Sequence, residues 1–199
     1  MKKQNRHFFR TIVIMSKRKA GADLRPGGMK GLMKELQIME KAGFIVDVDE
    51  GNAKVWRVSL TTGVLKTHGL GTLIGQLQLW ARRVRKPPVI VLELEFADNH
   101  PFDPPFVRIV RPRFQQYTGH ITVGGSICSK LVTADGWRPD ISMESLLRTI
   151  LEGMNDGEAK IEPSEISAYD YTIEEAVSAY QRVASFHGWA TAANVKRLR

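Results

Sequence analysis

Two hydrophobic periodicities divide this chain, and their order limits what it can become. Apolar residues alternate with polar ones at Phe44, Val46 and Val48, at Trp56, Val58 and Leu60, and at Leu92, Leu94 and Phe96. That is the period of a strand with one buried face. A fourth short apolar run covers residues 106–110. Beyond residue 140 the spacing changes to three and four. Met143, Leu146, Leu147, Ile150, Leu151 and Met154 make one helical stripe, and Ile173, Ala176, Val177, Tyr180, Val183 and Ala184 make another. Strands grouped first and helices grouped last predict an α+β domain. Its four strands, joined by short links, form an antiparallel sheet with one face packed and one wet.

Other helices are expected around this frame. Met29, Leu32, Met33, Leu36 and Met39 recur at helix spacing, with Gly43 as the stop. Residues 61–88 are too many for a bare loop. Within them Leu70, Leu73, Ile74, Leu77, Trp80, Ala81 and Val84 form a stripe, and Arg82, Arg83, Arg85 and Lys86 follow at the end where the helix dipole favours cations. This predicts an extra, core-facing helix before the third strand, ended by Pro87-Pro88. Ser142 or Asp140 is expected to cap the first late helix, and Thr172 with Glu175 reads as a capping box for the second.

Composition removes several function classes. A single cysteine, Cys128, excludes an internal disulfide framework and a multi-thiolate zinc site. The five histidines, at 7, 68, 100, 120 and 187, never fall at metal-ligand spacing. No metal and no cofactor are expected, and a reducing compartment is. Residues 1–28 hold eight Lys and Arg against Asp23 alone, so the net charge of +8 belongs almost entirely to this tail. A solvated extension is its plainest reading; a nuclear signal at residues 17–19 or an organellar presequence is a sharper one. Loose attraction to nucleic acid or anionic membrane rests on that charge alone, so no specific nucleic-acid partner is expected. The apolar run at residues 11–15 is too short to cross a bilayer, and Met15 is a second candidate start. The expected organisation is a basic tail (1–28), one domain (29–190) and a basic C-terminal tail (191–199), in a cytoplasmic or nuclear protein.

Two segments carry chemistry. Residues 98–107 read DNHPFDPPFV, where Pro101, Pro104 and Pro105 fix φ and remove donors. The result is a rigid turn whose Phe102 either docks a partner or packs inward. Residues 124–128 read GGSIC, so the only thiol follows a glycine pair that permits close backbone approach. Trp137, Arg138 and Pro139 come next. With these segments and the late helices in that order, the chain resembles a ubiquitin-conjugating enzyme. It is most similar to the Q-type branch, on PFDPPFV, the double-glycine cysteine segment, residues 131–137 (LVTADGW), residues 188–189 (GW) and the LQL at residues 77–79. The resemblance covers roughly residues 29–190.

The resemblance implies a ubiquitin-conjugating fold. It also implies a carrier that accepts ubiquitin, or a related modifier, as a thioester on Cys128 and passes it to an acceptor lysine or a ligase. Implied partners are an activating enzyme, a ligase and protein substrates. Phe102, Trp137 and Pro139 would face the ligase, and His120 would shape the loop. Most members carry His-Pro-Asn ten residues before the cysteine; this chain has only His120-Ile121-Thr122, eight before. Backbone N–H groups of Gly124 and Gly125 are then candidate oxyanion donors. Lys130, two residues past the thiol, either lowers the thiol pKa, accepts the modifier itself, or, as is commoner for a lone surface lysine, does neither. Asp140 and Ser142 either assist an incoming amine or cap a helix. The alternatives are an inactive ubiquitin-binding variant of the same fold and a thiol hydrolase. The hydrolase would need a Cys–His pair, usually with the Cys at a helix start, and no helical pattern begins at Cys128.

Overall fold

Alternation produces the sheet. In the computed structural model, which describes residues 28–192 and 194–195, four strands pair antiparallel in sequence order: β1 (Ile45–Val48), β2 (Val55–Thr61), β3 (Val89–Glu95) and β4 (Phe106–Arg111). Register aligns the apolar set. Val46 lies opposite Val58, Val58 opposite Leu92, and Leu92 opposite Ile109. These side chains share one core with Leu32, Leu36 and Met39 of α1 (Gly28–Lys41), and with Leu146, Leu147 and Leu151 of α4 (Met143–Asp156). Each such buried side chain contributes about 1.5–3 kcal/mol. The expected α+β order therefore holds. The basic N-terminal tail, its candidate signal at 17–19 and the apolar run at 11–15 lie outside the described residues.

The second face of the sheet departs from expectation. On β1 and β2 it is open at Ile45, Asp47 and Arg57, but on β3 and β4 Val91, Glu93, Arg108 and Val110 are buried. The chain leaving α4 folds back over this half. Tyr171 N–H donates to Val110 O at 2.8 Å, and its carbonyl accepts from Arg108 Nη1 at 3.0 Å. The alternation predicted a wet second face, and Glu93 and Arg108 lie on it. They are buried as a pair, with Arg108 Nη2 2.6 Å from Glu93 Oε1, while Arg57 Nε holds the other oxygen at 3.0 Å.

The extra helix is present as α3 (Gly71–Val84), preceded by a short α2 (Thr62–Thr67) that hydrophobic periodicity does not reveal. Thr61 caps α2 by accepting from Val64 N–H. Leu73, Leu77, Trp80 and Ala81 of α3 are buried as expected. Its basic end grips the folded-back segment: Trp80 Nε1 donates to Ser167 O at 2.8 Å, Arg83 to the carbonyls of Pro163 and Ser164, and Lys86 Nζ to Asp170 at 2.8 Å.

Ser142, not Asp140, caps α4, and the capping box of Thr172 and Glu175 opens α5 (Ile173–His187). After α5 the chain returns along the post-cysteine loop. Ala134 N–H donates to Ala190 O, Ala190 N–H to Asp135 Oδ2, Ala192 N–H to Tyr180 Oη, and Asn194 Nδ2 to Glu95 O. Ala192 and Val195 are fully buried. The core thus continues past residue 190, where the tail was expected to begin. Among the described residues no helix is long and apolar enough to cross a membrane, and no cluster of His, Cys, Asp or Glu suits a metal.

Candidate active site around Cys128

The thiol is carried by a small hairpin hooked onto the free edge of β4. Ile121 bridges Ile127, and Thr122 N–H donates to Ser126 O at 2.9 Å. Arg108 bridges Ser126, and Ile109 N–H donates to Gly125 O at 2.7 Å. Cys128 leaves this hairpin with its N–H on the His120 carbonyl at 2.8 Å.

The glycine pair closes the hairpin tip. A Cβ at Gly124 would lie 2.1 Å from Glu175 O, on the first turn of α5. Gly125 has φ +87°, and a Cβ there would meet the Tyr171 ring at 2.6 Å. The Gly125 N–H is already committed to Thr122 O at 2.8 Å. This corrects the expectation that Gly125 supplies an oxyanion donor. These glycines let the tip seat against α5 and Tyr171. Tyr171 is braced in turn, with its hydroxyl accepting from Phe114 N–H at 2.9 Å and the Arg113 guanidinium 4.5 Å above its ring.

Residues 113–120 form the platform in front of the hairpin. They pair with the chain beyond α4: Glu162 N–H reaches Arg113 O, Gln115 N–H reaches Lys160 O, and Gly119 N–H reaches Gly157 O at 2.7 Å. Tyr117, Gly119 and His120 all hold left-handed backbone, at φ 62°, 63° and 53°. Such non-glycine conformations cost roughly 1–3 kcal/mol each and persist where neighbours impose them.

Cys128 is half-buried where two clefts meet. One, of about 420 Å³, runs toward α5 and is lined by Tyr117, Val123, Ala179, Arg182 and Val183. The other, of about 300 Å³, runs along α4 past Ser129, Thr149, Glu152 and Asp156. His120 is exposed and lines both. No periodic pattern points to the α5 side of the site; the double glycine is the only hint that another element presses on this loop.

Burial pushes the Cys128 thiol above its ordinary value of 9.0. No positive charge offsets this, so the expectation that Lys130 lowers it is corrected. The thiolate form rises with pH, and a raised pKa delays that rise. Alkylation of Cys128 by iodoacetamide is therefore expected to be still rising at pH 10, where an unperturbed thiol is already levelling off. Rates followed by mass spectrometry from pH 7 to 11 check this; a plateau reached by pH 10 contradicts it.

The residues expected to face a ligase separate. Phe102 is 62% exposed and Pro139 is exposed, but Trp137 is 8% exposed, which corrects its assignment as a docking residue. Trp137 Nε1 instead donates to Pro101 O at 2.7 Å. Its ring ends an aromatic series through His100 and Phe96 to Trp56. Burial holds His100 below its usual pKa, so this series stays neutral at physiological pH. Trp137 thus fastens the proline loop to the post-cysteine loop. Asp140 is exposed and paired with Arg138, whose hydrogen bond holds its carboxyl below the usual range. Ser142 is spent on the α4 cap. Neither lines the clefts at Cys128.

Comparison with known proteins gives a consistent result. Residues 86–187, just over half of the chain, match the family model described as "Ubiquitin-conjugating enzyme". The chain is 31% identical over 169 residues to the human "Ubiquitin-conjugating enzyme E2 Q1", covering 80% of this chain and 38% of that protein. It is 31% identical over 105 residues to the Caenorhabditis elegans "Ubiquitin-conjugating enzyme E2 25", covering 51% of this chain and 27% of that one. The chain thus spans little more than a third of the E2 Q1 relative. Among solved structures, human ubiquitin-conjugating enzyme E2 G1 is similar at 16% identity and a TM-score of 0.48, over 67% of this chain and 98% of that one.

Proposed function

Since this chain belongs to the ubiquitin-conjugating enzyme family, we propose that it carries ubiquitin, or a related modifier, as a thioester on Cys128 and delivers it to an amine. The observation that carries this reading is a half-buried thiol at the junction of two clefts. A modifier's carboxy end and an incoming nucleophile must both reach the same sulfur, and two openings serve them.

The chemistry is two acyl transfers. The Cys128 thiolate attacks the thioester carbonyl presented by an activating enzyme; a new C–S bond forms and the donor thiolate departs. An amine then attacks the Cys128 thioester, the C–S bond breaks, and sulfur leaves with the electron pair. His120 supports the site in two ways. Its carbonyl fixes the Cys128 backbone, and its ring stands on the rim of both clefts. Gly124 and Gly125 support it by letting the hairpin seat. Phe102 and Pro139 face a ligase, with Trp137 holding their two loops together from within.

Mixing the protein with activating enzyme, ATP and ubiquitin is expected to give an adduct on a non-reducing gel. Reductant and Cys128→Ala should both abolish it, and Cys128→Ser should give a reductant-resistant ester. Phe102→Ala should charge normally yet lose ligase-stimulated discharge. No adduct from the wild type would leave the inactive, ubiquitin-binding reading in its place. Turnover of a ubiquitin thioester without any acceptor amine would favour the hydrolase.

A further inference from the structure

We propose that His120 is a catalytic residue of the transfer: its imidazole takes the proton of the incoming amine and hands it to the departing Cys128 sulfur. The inference rests on the thioester reading above and adds a proton carrier to it. Two clefts of different chemistry converge on the thiol. Arg182 brings a positive charge to the α5 cleft, and Glu152 and Asp156 bring negative charge to the α4 cleft. Among the described residues only His120 and Cys128 line both. From whichever opening the amine arrives, it meets sulfur and imidazole together.

The ring is held in this place. The His120 carbonyl accepts from Cys128 N–H at 2.8 Å, so imidazole and thiol hang from one hydrogen-bonded pair of residues. His120 keeps φ 53°, and Gly119 before it is anchored on Gly157 O at 2.7 Å. Where α4 ends, a Cβ at Gly157 would lie 3.0 Å from His120 Cδ2, and one at Gly153 would lie 3.7 Å from it. The imidazole therefore rests against two residues that have no side chain.

Its nitrogens are uncommitted. His68 holds Val64 O and faces Arg148, and His100 faces Asp103 O. The His120 ring makes no hydrogen bond or ion pair among the described residues. An amine that adds to a carbonyl must shed a proton, and the leaving sulfur must gain one. Burial pushes the Cys128 thiol up, so the departing sulfur holds that proton firmly. Glu152 and Asp156 line only the α4 cleft, and Tyr117 only the α5 cleft. A guanidinium accepts no proton. Neutral imidazole has one accepting and one donating nitrogen, the two functions that the step needs. The amine adds to the thioester carbonyl and its proton passes to the imidazole. The C–S bond breaks, sulfur takes the electron pair, and the imidazolium returns the proton to it. The products are an amide and a free Cys128 thiol, with His120 unchanged.

The test preforms the ubiquitin thioester on the full chain, removes ATP, adds free lysine and follows a single round of discharge. His120→Asn tolerates the left-handed backbone and can donate a hydrogen bond, but takes no proton. His120→Gly keeps the backbone and leaves room for added imidazole. Both variants should discharge to lysine about 100-fold more slowly than the wild type, and imidazole should restore His120→Gly. Exchange with a small thiolate, which brings no proton, should slow far less. Wild-type discharge to lysine in either variant, or no recovery with imidazole, overturns the proposal. So does an equal loss with lysine and thiolate, which would mean that the ring only shapes the site or binds the oxyanion. A second arm repeats the comparison on a short peptide thioester exchanged onto Cys128 without activating enzyme. If ubiquitin cannot be loaded but the peptide shows the expected pattern, the carrier reading fails and the proton shuttle stands. If the peptide thioester shows none of it, the shuttle is overturned.

Discussion

Gly124→Ala is expected to destabilise the protein by about 3 kcal/mol or more, at the upper end of what overpacking costs. The new methyl would lie 2.1 Å from Glu175 O and 2.8 Å from Ala179 Cβ. Glu175 cannot simply retreat. Its N–H and carboxylate form the α5 capping box with Thr172, and its carboxylate takes Arg113 at 3.0 and 2.8 Å. Burial works against ionising Glu175, but these bonds bring its pKa below the usual value. Gly125→Ala meets the Tyr171 ring and also a left-handed φ, so it is expected to be as damaging. Gly75→Ala is the control, since nothing lies within 4 Å of its added methyl. Alanine there is expected to match the wild type or exceed it slightly. Denaturant unfolding of the three variants measures the differences. If Gly124→Ala unfolded like Gly75→Ala, the hairpin tip would not be braced as described.

The second large effect is expected at Arg108. Arg108→Ala leaves the Glu93 carboxylate buried, with only Arg57 beside it, whose side chain is 55% exposed. Breaking a buried pair from one side costs about 3–5 kcal/mol, which in a chain of this size lowers Tm by roughly 10 °C. The variant also frees the Tyr171 carbonyl, so the segment covering β4 loosens with it. Pairing Arg108→Met with Glu93→Leu should recover much of the loss, because no charge then remains without its partner. A double-mutant cycle by thermal unfolding separates the two contributions. A single-variant loss under about 1 kcal/mol, the range of an exposed pair, would mean that water reaches Glu93.

Legibility followed the range of each interaction. Strand alternation and helix stripes are local, and they predicted β1 to β4, α1, α3, α4 and α5. The capping box at Thr172 was readable because both partners lie within one turn. Cys128 stood out through its glycine neighbours. What escaped depends on distant segments meeting. The Glu93–Arg108 pair looked solvent-facing because alternation cannot register a segment that returns some 60 residues later to cover it. Trp137 looked like a docking residue until Pro101 was seen to take its N–H. Gly124 and Gly125 suggested backbone donors, yet their role is set by α5, which follows about 50 residues on. The α5 wall of the larger cleft had no sequence signature, since Ala179 and Val183 belong to an ordinary apolar stripe.

The return of the chain after α5 has a practical consequence. Ala190, Ala192 and Asn194 tie Asp135, Tyr180 and the end of β3 together, and Trp137 extends that tether to the proline loop. A protein trimmed at residue 190 would lose its anchor on β3, and the proline and post-cysteine loops would slacken while the cysteine hairpin kept its own bonds. On the carrier reading proposed above, such a fragment should still be charged but serve a ligase poorly, a defect easily mistaken for the wrong choice of ligase. Shortened versions should end beyond Val195.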